Sequence, residues 1–171
     1  MKKFLVALIT LGLLLAPISA VQAQTYDETL IFLYWPGTYE VAVGEEVLLY
    51  HGWGACTGGL VQLYLENMNS ELYFNDVLVS AADGKDQYWW EIFRVPNASW
   101  GENCLTGNQH TFSGVYWVYP FDTSVSGTYE VQYIEWLDRS IIDGIDRDGD
   151  GGPDQIEGGL LADNTLTIIV E

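Results

Sequence analysis

The sequence predicts an all-β protein: an antiparallel β-sandwich with one short helix. Three observations carry this. Several runs alternate apolar and polar residues with a period of two, as in "GTYEVQYIEWL" and "NTLTIIVE". Turn residues recur at short intervals between these runs. The composition is rich in strand formers, with seven Trp, eleven Tyr and many β-branched residues. The aromatic content also argues against disorder, the usual reading of a chain this charged.

The first 23 residues stand apart from the fold. Lys2 and Lys3 open the chain, an apolar run "FLVALITLGLLLAPISA" follows, and "VQA" ends in a small residue. This is the pattern of a secretory signal peptide with cleavage between Ala23 and Gln24. The alternative is an uncleaved anchor, although the run is short for a span and Pro17 interrupts it. Residues 24–171 then form one domain, exported to the cell surface or beyond, with no transmembrane segment. The whole chain carries a formal charge of −18. Without Lys2 and Lys3, four basic residues face 24 acidic ones, a net charge of −20. Such a surface repels nucleic acid and anionic lipid and attracts cations.

Within the domain, "TLIFLYW" reads as the first strand. "GTYEVAVGEEVLLYHGW" reads as two strands about Gly44-Glu45, and "ELYFNDVLVS" as a hairpin turning at Asn75-Asp76. "TGGLVQLYLENMN" departs from the period of two. Leu60, Val61, Tyr64, Leu65 and Met68 recur at helical spacing, and Thr57 is placed to cap the start. The alternative is an irregular crossover. "YWWEIFRV" ends at Pro96, "GVYWVYPF" follows a polar loop, and "GTYEVQYIEWL" and "NTLTIIVE" close the domain. No internal repeat is apparent.

Two cysteines, Cys56 and Cys104, are an even pair in an exported chain, so one disulfide is the simplest reading; two buried thiols are the alternative. A bridge would tie the start of the helix to the loop "PNASWGENCLTGNQH". It would add roughly 4 kcal/mol in the chain-entropy model.

The strongest chemical signal is "DRDGDGGPDQIE". Asp146, Asp148 and Asp150 fall on alternate positions, Gly151 permits a sharp turn, Gly152 offers a carbonyl, and Asp154 and Glu157 take the ninth and twelfth positions. This is the ligand register of a twelve-residue calcium loop. Ca²⁺ takes six to eight oxygens, which alternate carboxylates on a wound loop supply. Without a cation the carboxylates repel one another; a solvated acidic turn is the alternative. The loop is placed as an insertion at about 141–163, between the last two strands.

Two resemblances follow. "SVSGTYEV" resembles the start of strand F in immunoglobulin-like domains, with Gly127 and Tyr129 at the tyrosine-corner positions. A final strand follows after an insertion, as F precedes G in such folds, and this implies an immunoglobulin-like sandwich. Val131 stands where an antibody domain carries its second cysteine. The acidic run resembles the DxDGDGxPD loops of thrombospondin type 3 repeats. That resemblance implies structural calcium bound outside the cell, with Asp146, Asp148, Asp150 and Asp154 as matching ligands; Glu157 rests on the register alone.

Other constellations are weaker. His51 and His110 show no metal spacing and read as half-buried structural histidines. No GxSxG step marks a nucleophile. Asn97 opens an Asn-Ala-Ser triplet that reads as a chance sequon. Among the aromatics, Trp89, Trp90 and Trp100 are candidates for stacking a ligand, and Trp89 and Trp90, being adjacent on a strand, point to opposite faces. The expectation is a non-catalytic calcium-binding structural or interaction module that meets an extracellular protein or a glycan. The alternatives are a carbohydrate-binding module using exposed rings and a secreted hydrolase using paired carboxylates.

Overall fold

The computed structural model describes residues 28–97, 102–107 and 110–171. The signal-peptide reading and Trp100 lie outside these residues. Among the described residues, no helix is long and apolar enough to cross a membrane.

Two sheets face each other. The four-stranded sheet has the order β1-β3-β7-β6, from Thr29–Phe32, Val47–Ala55, Thr111–Phe121 and Phe93–Pro96. The five-stranded sheet has the order β2-β11-β8-β4-β5, from Thr38–Val41, Gly159–Val170, Gly127–Leu137, Met68–Phe74 and Val77–Asp83. A small hairpin of β9, Ile141–Ile142, and β10, Gln155–Ile156, lies between β8 and β11. This is an immunoglobulin-like sandwich, as the sequence predicts. One detail differs from a purely antiparallel arrangement. β1 pairs with β3, and β2 with β11, in parallel. The run about Gly44-Glu45 does hold two strands, but β2 and β3 belong to opposite sheets. Gly44, at φ 80°, makes the turn that carries the chain across.

The period of two places the core. Along β3, Val47, Leu49 and His51 point inward; along β8, Val131, Tyr133, Glu135 and Leu137 do; along β11, Leu166, Ile168 and Val170 do. With Ile31, Leu33, Leu72 and Trp117 they fill the space between the sheets. Each fully buried aliphatic contributes about 1.5–3 kcal/mol relative to exposure.

Local chemistry sets the connections. Asn75 and Asp76 have φ of 49° and 66°, the left-handed pair of a two-residue hairpin turn. The helix α1 spans Gly58–Leu65; Thr57 is extended and its hydroxyl accepts from the Leu60 amide at 3.2 Å. It buries Val61 and Tyr64. The helical spacing in the sequence runs on to Met68, but the helix stops earlier. The Asn67 side-chain amide donates to the Leu63 carbonyl at 2.6 Å, and Arg139 Nε donates to Asn67 Oδ1 at 2.7 Å. Those bonds turn the chain, and Met68 is buried as the first residue of β4.

Tyr129, at the start of β8, donates its hydroxyl to the Val125 carbonyl at 2.9 Å, the tyrosine corner. The pentapeptide "GTYEV" also occurs at 37–41. There Tyr39 donates to the Trp35 carbonyl at 3.0 Å, again four residues back. The two corners flank one strand: Ile168 of β11 is paired with Tyr39 on one side and Tyr129 on the other. The expectation of no internal repeat is corrected to this extent. Two short identical segments serve the same purpose on either side of β11.

Candidate metal loop, buried carboxylate and aromatic face

β8 ends at Leu137 and β11 begins at Gly159, so the acidic insertion closes at residue 158, inside the expected boundary of 163. The β9–β10 pair zips its base and residues 143–154 form its tip. One carboxylate oxygen from each of Asp146, Asp148 and Asp154 converges, all within 4.8 Å of one another. Oxygens bound to one Ca²⁺ lie at most about 5 Å apart, twice the ligand distance, so the spacing suits a shared ion.

Backbone bonds hold this shape. Asp146, 6 % exposed, accepts from the amides of Gly149 at 2.6 Å and Gly151 at 3.2 Å and from Asn103 Nδ2 at 3.2 Å. Asp148 Oδ1 accepts from the Asp150 amide at 3.1 Å, and Asp150 Oδ1 from the Gly152 amide at 2.7 Å. Asp154 Oδ2 accepts from the Arg147 amide at 2.8 Å. The structure therefore brings together three of the predicted carboxylates. The Asp150 side chain is turned to Gly152. Glu157 lies at the hairpin base, where Oε2 accepts from the Ser140 hydroxyl and Oε1 from Gln155 Nε2, both at 3.0 Å. A helix after the loop would bring the twelfth residue back to the centre. Here residues 155 and 156 are extended, at about 3.3 Å per residue, and carry Glu157 away.

Arg147 sits beside the cluster. Its guanidinium pairs with the buried Asp143 and lies 3.7 Å from Asp154 Oδ2. Its hydrogen bond to Asp143 raises its pKa further.

The loop is fastened to the disulfide. Cys56 and Cys104 are bonded, with Cα atoms 5.5 Å apart. The Cys56 amide donates to the Asp143 carbonyl at 2.8 Å, the Leu105 amide to Gly144 at 2.9 Å, and the Asp146 amide to Asn103 at 3.0 Å. Cys104 also bridges to Ile145. Gly144, at φ 82°, is required: a Cβ there would meet Thr106 Oγ1 at 2.3 Å. The helix start, the disulfide loop and the acidic insertion thus form one body at one end of the sandwich. Asn97, in the same loop, is buried, and its Nδ2 donates to the Glu102 carbonyl at 2.8 Å.

One group was not anticipated. Glu135 is 0 % exposed between the sheets. It accepts hydrogen bonds from the hydroxyls of Tyr34 at 2.6 Å, Tyr64 at 2.8 Å and Tyr133 at 2.6 Å. His51 Nδ1 lies 3.6 Å from it, and neither ring nitrogen of His51 makes a hydrogen bond. His51 is fully buried against Trp117 and Tyr133, not half-buried as its sequence context suggests. Burial lowers its pKa to about 4, with the Glu135 charge opposing in part. Burial first, and the Glu135 charge second, raise the pKa of all three tyrosines. The period-two register of β8, continued from Val131 and Tyr133, already points Glu135 inward, and that was the available signal.

The two adjacent tryptophans part, but not as neighbours on a strand: β6 begins only at Phe93, and Trp89 makes an isolated bridge to Trp117. The Trp89 indole donates to the Asp83 carbonyl at 2.8 Å, and its ring packs on His51 and Tyr64. Trp90 is 53 % exposed. It lies with Phe32, Tyr50, Phe93 and Tyr116 on the outer face of the four-stranded sheet. Glycine makes room for these rings: a Cβ at Gly52 would sit 2.7 Å from the Tyr116 ring.

No protein-family model matches the chain, and no curated protein matches it. Among solved structures, it is similar to a cysteine protease inhibitor from Entamoeba histolytica, at 9 % identity and a TM-score of 0.34, over 84 % of this chain and 96 % of that one. So loose a likeness says nothing of what this chain binds.

Proposed function

We propose that this chain is an exported, non-catalytic interaction module whose acidic insertion binds one structural calcium ion. The observation that carries the reading is the convergence of Asp146, Asp148 and Asp154 at the tip of the insertion. Three carboxylates this close repel one another without a cation. Two of them are exposed or half-exposed, so solvent reaches the site and water completes the coordination. The ion's chemistry here is electrostatic: it offsets the carboxylate charge and holds the tip against the disulfide loop. Export agrees with this role, because calcium is abundant outside cells and the apolar leader reads as a secretory signal.

A non-catalytic role fits the placement of the acidic groups. Asp148 and Asp150 close turns on the loop amides, and Glu135, fully buried, is enclosed by three tyrosine hydroxyls. The interaction side rests on the ring-lined outer sheet face, since open apolar patches on exported proteins mark contact surfaces.

Calorimetric titration of the exported protein with CaCl₂ tests the metal reading. One ion per chain is expected. Asp148→Asn keeps the turn acceptor but removes a ligand charge, and it should weaken binding at least about tenfold. Unchanged binding in that variant would move the ion elsewhere or remove it from the account.

A further inference from the structure

A second feature lies on the sheet face, away from the acidic insertion. A pocket of about 310 Å³ opens between Glu28, Tyr50, Trp90 and Tyr116, with Leu48 and Val118 among its aliphatic walls. That volume is at the small end of ligand pockets. The Tyr50 and Tyr116 rings meet edge to face, centroids 6.3 Å apart at 78°, and so form two walls of a corner. Trp90 is fixed beside them by its backbone amide, which donates to the Tyr116 carbonyl at 2.8 Å. Glu28 stands where the chain enters β1, anchored by the Thr29 amide on the Glu46 carbonyl at 2.8 Å.

The lining is chemically selective. Aromatic faces carry negative potential and attract cations within about 6 Å of the ring centre. Glu28 adds a full negative charge, and the chain's net charge of −18 draws cations toward the surface. None of the basic residues among the described ones lines the pocket. A sugar would find few partners for its hydroxyl groups there: the described lining holds no amide and no guanidinium side chain, and its polar groups are one carboxylate, two phenols and one indole N–H. Leu48 and Val118 offer methyl contacts, which suit alkyl groups around a nitrogen better than a hydrated metal ion. We infer that this pocket binds an alkylammonium cation, seated on Tyr50, Trp90 and Tyr116 with Glu28 as its counter-charge. The same chemistry is carried by a free quaternary ammonium compound or by a lysine side chain of a protein partner. Nothing in the proposal depends on the metal loop.

The test is a titration with choline, at constant ionic strength and saturating calcium, followed by tryptophan fluorescence and by NMR shifts of the indole protons. The neutral carbon isostere 3,3-dimethylbutan-1-ol is the control. Saturable choline binding is expected, with the isostere at least about tenfold weaker. Glu28→Gln should weaken choline by about tenfold, and Trp90→Ala should remove the fluorescence response. Both sites are solvent-accessible, and unchanged melting temperatures confirm folded variants. Nα-acetyl-lysine methylamide competing as well as choline assigns the pocket to a partner's lysine; choline binding alone assigns it to a small molecule. Asp148→Asn should leave choline binding intact, so failure of the metal reading is seen separately. Equal binding of the isostere, no saturation at tens of millimolar choline, or indifference to both Glu28→Gln and Trp90→Ala would overturn the proposal.

Discussion

Acid should weaken this fold through one side chain, His51. Its ring is fully buried between the sheets, packed on Trp117 and Tyr133, and neither nitrogen has a hydrogen-bond partner. Burial holds its pKa near 4, against 6.5 for the free side chain. Above pH 6.5 His51 is neutral whether the chain is folded or not, and it imposes no penalty. As the pH falls below 6.5 the unfolded chain takes up a proton that the folded chain refuses. Stability therefore drops by about 1.4 kcal/mol per pH unit until folded His51 also protonates near pH 4. The total is about 3 kcal/mol, a large share of the 5–15 kcal/mol typical of a domain. The chain carries many other acidic groups, so the measurement is a difference. Urea unfolding of the wild type and of His51→Leu is compared from pH 4 to pH 7 with calcium saturating. The wild type should lose about 3 kcal/mol relative to the variant across that range. Parallel curves would mean that folded His51 accepts a proton as readily as the unfolded chain does, and the reasoning would fail.

Replacing both Cys56 and Cys104 with alanine should lower stability by roughly 4 kcal/mol, read from guanidinium midpoints; an unmoved midpoint would show that the bridge does not constrain the chain. Tyr129→Phe should cost about 1 kcal/mol by removing the corner bond, and Tyr39→Phe about as much. Because both corners flank Ile168, the double variant should depart from additivity in thermal melts; strict additivity would show that the two corners act independently.

Much of this architecture is legible from local chemistry. Asn75-Asp76 demands left-handed backbone and so makes a hairpin turn; Thr57 before Gly58-Gly59 caps a helix; Gly127 and Tyr129 make a tyrosine corner. Each of these signals acts within a few residues. What was missed depends on partners far along the chain. The register of β8 points Glu135 inward, but the hydroxyls that make its burial tolerable come from Tyr34 at β1's exit and Tyr64 of α1, which no local pattern ties to it. Likewise, that Trp89 turns in and Trp90 out depends on the bridge between Trp89 and Trp117 of β7. Nor does sequence reveal that β1 and β2 join opposite sheet edges in parallel, since either edge satisfies the same alternation. The acidic loop is the mixed case. Spacing picks out Asp146, Asp148 and Asp154 but with them, equally, Asp150, Gly152 and Glu157, and the extended β10 that draws Glu157 to Ser140 has no counterpart in the twelve-residue register.

The central claim is that a calcium ion staples the acidic insertion to the disulfide end of the sandwich. Hydrogen exchange with mass readout, with calcium and with chelator, tests it most directly. Chelation should speed exchange at the Gly149 and Gly151 amides and at the Cys56, Leu105 and Asp146 amides that tie the loop to its neighbours, while β3, β7 and the β8–β11 pair keep their protection. Identical exchange in both conditions would contradict a staple, and loss of protection throughout both sheets would show that the ion holds the whole fold and not its end.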